Sequence, residues 1–238
     1  MNLIGLILLS LIAIIAFFGF GKRFFDRLAI KSWLVFLFIL LFTVGAIVPT
    51  IVLSEYVTMS FGGFIVPLLF AAIVFYTTHA KEKAFSLALS ILIIAGATLA
   101  IWMMIQPTTI VFYIISAVAV GVVAGVASYI ITKHRTAIIV ATLTGIVLGD
   151  IVYNLFTRFL LERPLALGGG VAFDAIILAI IIGLGLNEIV EFVKKRKSQK
   201  KHSLLTSRLD ILNAEMAEDT AIKEQQEKQD KEIFAPFE

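Results

Sequence analysis

The sequence has no cysteine, only three histidines and few charged residues. The absence of cysteine excludes disulfides, iron–sulfur clusters, thiolate zinc sites and a cysteine nucleophile. His79, His134 and His202 stand in hydrophilic joints near lysine or arginine, and none has a partner at metal-ligand spacing. We therefore expect no metal and no cofactor. Charged residues make up 16% of the 238 residues, against about a quarter in soluble domains, so the composition indicates a protein of the lipid bilayer.

Long apolar runs dominate what is present. Apolar residues make up 60% of the chain, and the mean hydropathy is +1.00. Windows of about 20 apolar residues, the length that crosses a bilayer as a helix, recur with short joints between them. Such uniformly apolar windows cannot be the alternating strands of a membrane barrel. The sequence predicts an all-α, polytopic bundle of about seven transmembrane spans, at 3–20, 33–53, 61–78, 84–105, 109–132, 136–160 and 169–192.

Lysine and arginine fall in alternate joints between these windows. The other joints carry Glu55, no charge at all, or Glu162 with Arg163. Under the positive-inside rule, this alternation predicts an external N-terminus and a cytoplasmic C-terminus. We expect a multi-pass protein of the cell membrane, of the bacterial plasma-membrane type. The joints with a basic excess are 21–32, Lys81 with Lys83, Lys133 with Arg135, and 194–201.

The charge pattern divides the chain into a seven-span domain, 1–193, and a cytoplasmic tail, 194–238. Residues 194–201 hold six basic residues and no acid, so we expect them to lie on anionic lipid headgroups of the bilayer. Residues 202–238 hold four basic and nine acidic residues. Leucines at helical spacing predict a short amphipathic helix there, in an otherwise solvated tail that is also a candidate docking site for a protein partner. Nucleic-acid binding is not expected, because the basic residues adjoin the spans.

Two aspartates, Asp150 and Asp174, lie well inside the apolar windows. Acids at this depth usually face the interior of a bundle and mark proton, ion or catalytic sites, because an ionised carboxylate is costly in lipid. Both fall in the outer half of consecutive antiparallel helices, at depths that permit contact. Asp150, Tyr153, Asn154 and Thr157 share one side of their helix. Two carboxyls about 3 Å apart cannot both ionise, which leaves an acid and a base for attack of water on a carbonyl.

Structural roles for the same residues stay open. Asp150 is also placed to pair with Arg158, and Asp174 to cap the last helix after its glycine run. Small residues at four-residue spacing, such as Gly145 with Gly149 and Gly121 with Gly125, favour close helix packing. The candidate site consists of Asp150 and Asp174 as catalytic residues, with Gly149, Tyr153, Asn154, Gly168, Gly169, Gly170 and Phe173 in support.

Three segments of the chain combine glycine with proline or aspartate: 62–67 (GGFIVP), 144–155 (TGIVLGDIVYNL) and 167–176 (LGGGVAFDAI). They resemble the bacterial and archaeal membrane proteins grouped as domain of unknown function 1614. In that family we expect a Gly-Gly-Ala with a following proline, a glycine-rich stretch ending in aspartate, and a Gly-Gly-Ala-Gly run leading to Phe-Asp-Gly-Ile. This sequence has Ala175 where that pattern has its last glycine, and Gly170-Val171 where it has Ala-Gly. The resemblance implies a site around the aspartates without naming a reaction.

A shorter resemblance is to the intramembrane aspartyl proteases of the presenilin and prepilin-peptidase type. Gly149-Asp150 is similar to the end of their Gly-x-Gly-Asp motif, and Phe173-Asp174 to their aromatic-Asp motif, in the reverse order along the chain. Three hypotheses follow: an aspartyl-type intramembrane hydrolase, a proton- or cation-coupled transporter or channel, and a membrane scaffold or assembly factor.

Overall fold

The computed structural model describes residues 32–77, 84–106 and 109–197, together with Ile7, Ser10 and Gln199. The predictions for the span at 3–20 and for the tail at 202–238 lie outside these residues. In chain order the elements are α1 (Ser32–Ile47), β1 (Ile51–Ser54), β2 (Val57–Met59), a π-helical turn (Phe61–Ile65), α2 (Val66–Thr77), α3 (Ala84–Met104), α4 (Ile110–Thr132), α5 (Arg135–Leu161), β3 (Leu165–Leu167) and α6 (Gly170–Lys197).

Among the described residues, four helices, α3 to α6, are long and apolar enough to cross a membrane. The shortest, α3, has 21 residues, which at 1.5 Å per residue span about 31 Å, the thickness of a hydrocarbon core. Helix α5 is central, since 67% of its most apolar window is buried against 22% to 33% for the other three. The predicted windows at 84–105, 109–132 and 136–160 correspond to α3, α4 and α5 within a few residues.

The N-terminal windows are less regular than predicted. Helix α1 ends at Ile47, two residues before Pro49, because a proline disfavours helical conformation in the residue before it. Residues 51–53, which were predicted to complete this span, form β1 instead. The window at 61–78 divides into the π-helical turn and α2, and Ser60 caps the turn by accepting a hydrogen bond from Gly63 N.

A three-stranded sheet departs from the all-α prediction. Its order is β1-β2-β3, with β1 and β2 antiparallel and β2 and β3 parallel. The parallel register pairs Val57 with Leu165, and Thr58 with Ala166. Strands of three or four residues carry too little periodicity to be distinguished from the ends of apolar spans, so sequence patterning missed them.

Glycine ridges bring the helices close together, as the small-residue spacing predicted. A Cβ atom added at Gly121 of α4 would lie 2.6 Å from Leu178 Cβ of α6, and one added at Gly149 of α5 would lie 2.7 Å from Thr98 Cβ of α3. Both distances are shorter than carbon atoms tolerate. The glycines therefore set the spacing of α4 against α6 and of α3 against α5.

Candidate functional site

Strand β3 lies between β2 and the polar side of α5, and its backbone bonds to both. Leu165 N donates to Tyr56 O at 2.7 Å, and Ser60 N donates to Leu167 O at 2.9 Å. On the other side, Ala166 N donates to Asn154 Oδ1 at 3.3 Å. The remaining bond, from Gly168 N to Asp150 Oδ2, is 2.6 Å long.

The spacing of these bonds follows from regular geometry. The backbone N–H groups of successive strand residues point to opposite sides of the strand. The N–H of Leu165 therefore points to β2 and that of Ala166 to α5. Ala166 and Gly168 are two strand residues apart, about 6.6 Å. Asn154 and Asp150 are one helical turn apart, about 6 Å. The spacing of Asn154 Oδ1 and Asp150 Oδ2 along α5 therefore matches the spacing of the N–H groups of Ala166 and Gly168.

Asp150 is held by hydrogen bonds on both carboxyl oxygens. Oδ2 accepts from Gly168 N, and Oδ1 accepts from Asn154 Nδ2 at 3.1 Å. The same Nδ2 also donates to the Asp150 carbonyl at 2.9 Å. Asp150 is only 5% exposed, and these donors offset part of the cost of burying a carboxylate. Both carboxyl oxygens of Asp150 therefore have N–H donors.

The alternative pairing of Asp150 with Arg158 is not what the structure has. Arg158 donates from Nη1 to Tyr56 O at 3.3 Å, and its guanidinium lies 5.4 Å from the centroid of the Tyr56 ring. The cation thus covers the β1–β2 turn, where its side chain stays partly exposed. Asp150 is bonded instead to the Gly168 backbone N–H and to the Asn154 side-chain amide.

Gly168 joins the three segments that carry the family resemblance. Its backbone is left-handed, with φ of +69°, a conformation that favours glycine. A Cβ atom added at Gly63 of the π-helical turn would overlap Gly168 O. Gly63 therefore leaves the room that Gly168 needs to reach Asp150, so a glycine of the first segment packs on a glycine of the third, which bonds to the aspartate of the second.

Asp174 lies in the first part of α6 and is completely buried. Its Oδ2 accepts a hydrogen bond from the Tyr113 hydroxyl of α4 at 3.0 Å. Because α6 begins at Gly170, Asp174 is more than one turn inside the helix and does not cap it, contrary to the alternative considered from sequence. The preceding residue, Phe173, packs on Phe42 of α1 with ring centroids 5.7 Å apart.

The glycine run, residues 168–170, connects the segment bonded to Asp150 with the helix that contains Asp174. Gly168 is bonded to Asp150, α6 starts two residues later, and Asp174 follows four residues further on, about 6 Å along the helix. Gly169 has open space where a side chain would be. Asp150 is bonded to Gly168 and to Asn154 of its own helix, whereas Asp174 is bonded to Tyr113 of α4. A proton shared directly between the two carboxyls stays a prediction.

The residues on the predicted polar side of α5 have different partners. Asp150 and Asn154 bind β3, whereas Thr157 donates only to carbonyls of its own helix, those of Tyr153 and Asn154. The Tyr153 ring faces α3 and packs edge-on against Trp102, with centroids 5.6 Å apart. Tyr153 therefore belongs to the α3–α5 packing rather than to the contact with β3. Gly149 has the same role, since it faces Thr98.

Sequence reasoning missed Tyr113. The residue is uncharged and stands in an apolar window 61 positions from Asp174, so the only local signal was a hydroxyl within a span. No group of three or more His, Cys, Asp or Glu side chains suited to a metal ion occurs in the described ranges.

The four long apolar helices identify the chain as an integral membrane protein. It belongs to the family described as protein of unknown function (DUF1614), whose sequence profile matches residues 27–186. This match includes all three segments of the resemblance and confirms it. No curated protein and no solved structure matches the chain significantly.

Proposed function

We propose that the protein is an aspartyl-type intramembrane hydrolase, with Asp150 and Asp174 as its acid–base pair. The supporting observation is that one short glycine-rich junction links the two buried carboxyls. Gly168 of that junction is bonded to Asp150, and Asp174 stands in the helix that the junction begins. A pair of acids in unlike surroundings suits the division of labour in general acid–base catalysis.

The two surroundings favour different roles. Both oxygens of Asp150 accept from N–H groups, which stabilise a carboxylate, so Asp150 is the base that removes a proton from the attacking water. Asp174 is bonded to a tyrosine hydroxyl, which can donate or accept, so Asp174 can hold a proton and give it to the leaving group. Water adds to a peptide or ester carbonyl, and the tetrahedral intermediate then collapses. No cofactor takes part.

The test is cleavage of apolar peptides by the purified protein in liposomes. A mixture of labelled transmembrane peptides is incubated with the wild type, and products are identified by mass spectrometry. Asp150→Asn and Asp174→Asn should each abolish cleavage, because either change removes one member of the acid–base pair. Thr157→Val is the matched control, since its hydroxyl bonds only within α5. Cleavage that survives in either asparagine variant excludes the mechanism.

A second candidate, proton- or cation-coupled transport, is favoured by the bond between Tyr113 and Asp174. It connects two membrane-length helices, α4 and α6, through a buried acid and a hydroxyl, and such pairs serve as proton relays in transporters. If this function is correct, liposomes with a trapped pH-sensitive dye should show a flux that Asp174→Asn abolishes and Tyr113→Phe slows. A wild type without flux under either sign of pH gradient, or a flux unchanged in Asp174→Asn, contradicts it.

The remaining hypothesis, a membrane scaffold, predicts a different pattern. If the aspartates only hold helices together, variants that fold should show neither a loss of cleavage nor a loss of flux relative to the wild type. The same two assays therefore separate all three functions.

A further inference from the structure

We propose that β3 and Gly168 form a releasable latch over Asp150, which Asn154 and Asp150 hold closed. The purpose of this latch rests on the proposed function, in which Asp150 must meet water. Its existence rests on backbone bonds and glycines around β3.

In the closed latch Asp150 is only 5% exposed, and each of its carboxyl oxygens already accepts a hydrogen bond. Gly168 N lies 2.6 Å from Oδ2, and Asn154 Nδ2 lies 3.1 Å from Oδ1. A water molecule that is to lose a proton to Asp150 needs hydrogen-bond contact with one of these oxygens. Departure of Gly168 frees Oδ2 and leaves Asn154 in place, so movement of β3 opens the carboxylate without disturbing α5.

Two N–H groups hold the latch to α5: Ala166 N of the strand bonds to Asn154, and Gly168 N just after the strand bonds to Asp150. On its other side the three-residue strand bonds to the β2 segment through Leu165 N and Leu167 O, and these bonds open with the latch. Ala166 is exposed, so water can replace the partner of its N–H group when the strand lifts. An element with short strands and solvent-accessible backbone bonds is the kind that opens locally, below the free energy of global unfolding.

The hinge is the glycine run after the strand. Gly168 already has a left-handed backbone, and Gly169 has no atom within 4 Å of the place where a side chain would be. Glycine backbones move between allowed regions more freely than those of other residues. The run can therefore change conformation while α6, which begins at Gly170, keeps its packing.

Amide hydrogen exchange of the full-length protein in lipid nanodiscs tests this directly. Mass spectrometry follows peptides covering 162–170 and compares them with peptides covering 117–125 in the buried part of α4. In the wild type we expect 162–170 to exchange at least about tenfold faster than 117–125, because a latch opens without the bundle unfolding. Equal exchange rates in the two segments would mean that β3 opens only when the bundle unfolds, and would overturn the proposal.

Two isosteric variants of α5 identify what holds the latch. Asn154→Leu removes the acceptor of the Ala166 N–H and should speed exchange of 162–170 about fivefold, the effect of one lost hydrogen bond. Thr157→Val, whose hydroxyl bonds only to α5, should leave it unchanged. Identical exchange in these two variants refutes the role of Asn154.

A substitution in the strand provides a second test in case the α5 variants misfold. Ala166→Pro removes the same bond from the strand side, because proline has no N–H, and should speed exchange of the rest of the segment to a similar degree. No acceleration in a folded Ala166→Pro protein would also refute the latch. Exchange needs no substrate, so its outcome is independent of the cleavage assay: a latch without cleavage would count against the hydrolase alone.

Discussion

Single substitutions should have large effects where a buried polar side chain has specific hydrogen-bond partners. Asn154 is the clearest case, since its amide donates to Asp150 and accepts from Ala166. Replacing one such group leaves a second one buried without its partner, and the cost of that unsatisfied group exceeds the value of an average hydrogen bond.

Tyr113→Phe tests this rule at Asp174. The change removes the hydroxyl that donates to a completely buried carboxyl, and removing the hydrogen-bond partner of a buried group costs about 1–3 kcal/mol. We expect the free energy of unfolding in detergent to fall by about 2 kcal/mol. Tyr129→Phe, at the other half-buried tyrosine of α4, is the control. Equal effects of the two changes would mean that the Asp174 contact adds nothing specific.

At the scale of elements, non-helical backbone among membrane helices needs internal partners. The π-helical turn, β2 and β3 obtain them from one another and from the side chains of α5. In lipid an unpaired N–H or C=O group costs several kcal/mol, so irregular backbone survives there only where protein or water satisfies it. The polar side of α5 is thus the reason that a strand can precede α6.

Gly63→Ala probes the contact between the π-helical turn and this strand. The new methyl group would overlap the Gly168 carbonyl, which is backbone and cannot rotate away, so Gly168 must withdraw from Asp150. Overpacking of this kind costs about 1–3 kcal/mol, and we expect the thermal unfolding midpoint to fall accordingly. Gly96→Ala is the opposite control: it has free space within α3, and alanine favours a helix by up to about 1 kcal/mol. A midpoint that rises in both variants would show that the turn and strand do not touch.

At the scale of the whole molecule, the pairing of β2 with β3 constrains the topology. The joints that contain Glu55 and Glu162 lead directly to or from these strands, so they lie at the same end of the bundle. Lys133 follows the last residue of α4 and lies two residues before α5, so it is at the opposite end of that 27-residue helix from Glu162. This arrangement agrees with the alternation of basic joints, whose predicted sidedness is still to be measured.

Cysteine labelling provides that measurement, because the chain has no cysteine of its own. Glu55→Cys and Glu162→Cys should react with a membrane-impermeant maleimide on intact cells, and Lys133→Cys only after the membrane is opened, as the positive-inside rule requires. All three positions are exposed. Labelling of Lys133→Cys alone on intact cells would reverse the orientation.

The sequence by itself determined the properties that depend on local composition. Long apolar runs specify membrane-length helices wherever they occur, so the positions of α3, α4 and α5 were predictable within a few residues. The isolation of Asp150 and Asp174 in those runs marked them as candidates for the same reason, and the spacing of small residues indicated which helix faces pack closely.

Tertiary structure alone decided the partners. The bond between Tyr113 and Asp174 joins residues 61 positions apart, and that between Asp150 and Gly168 joins residues 18 apart. Neither pairing has a local signature, because both depend on how helices are turned about their axes and on a strand too short to show a period. The spacing of two strand residues is close to that of one helical turn, and this places β3 against α5. The two spacings can match only after the chain has folded back on itself.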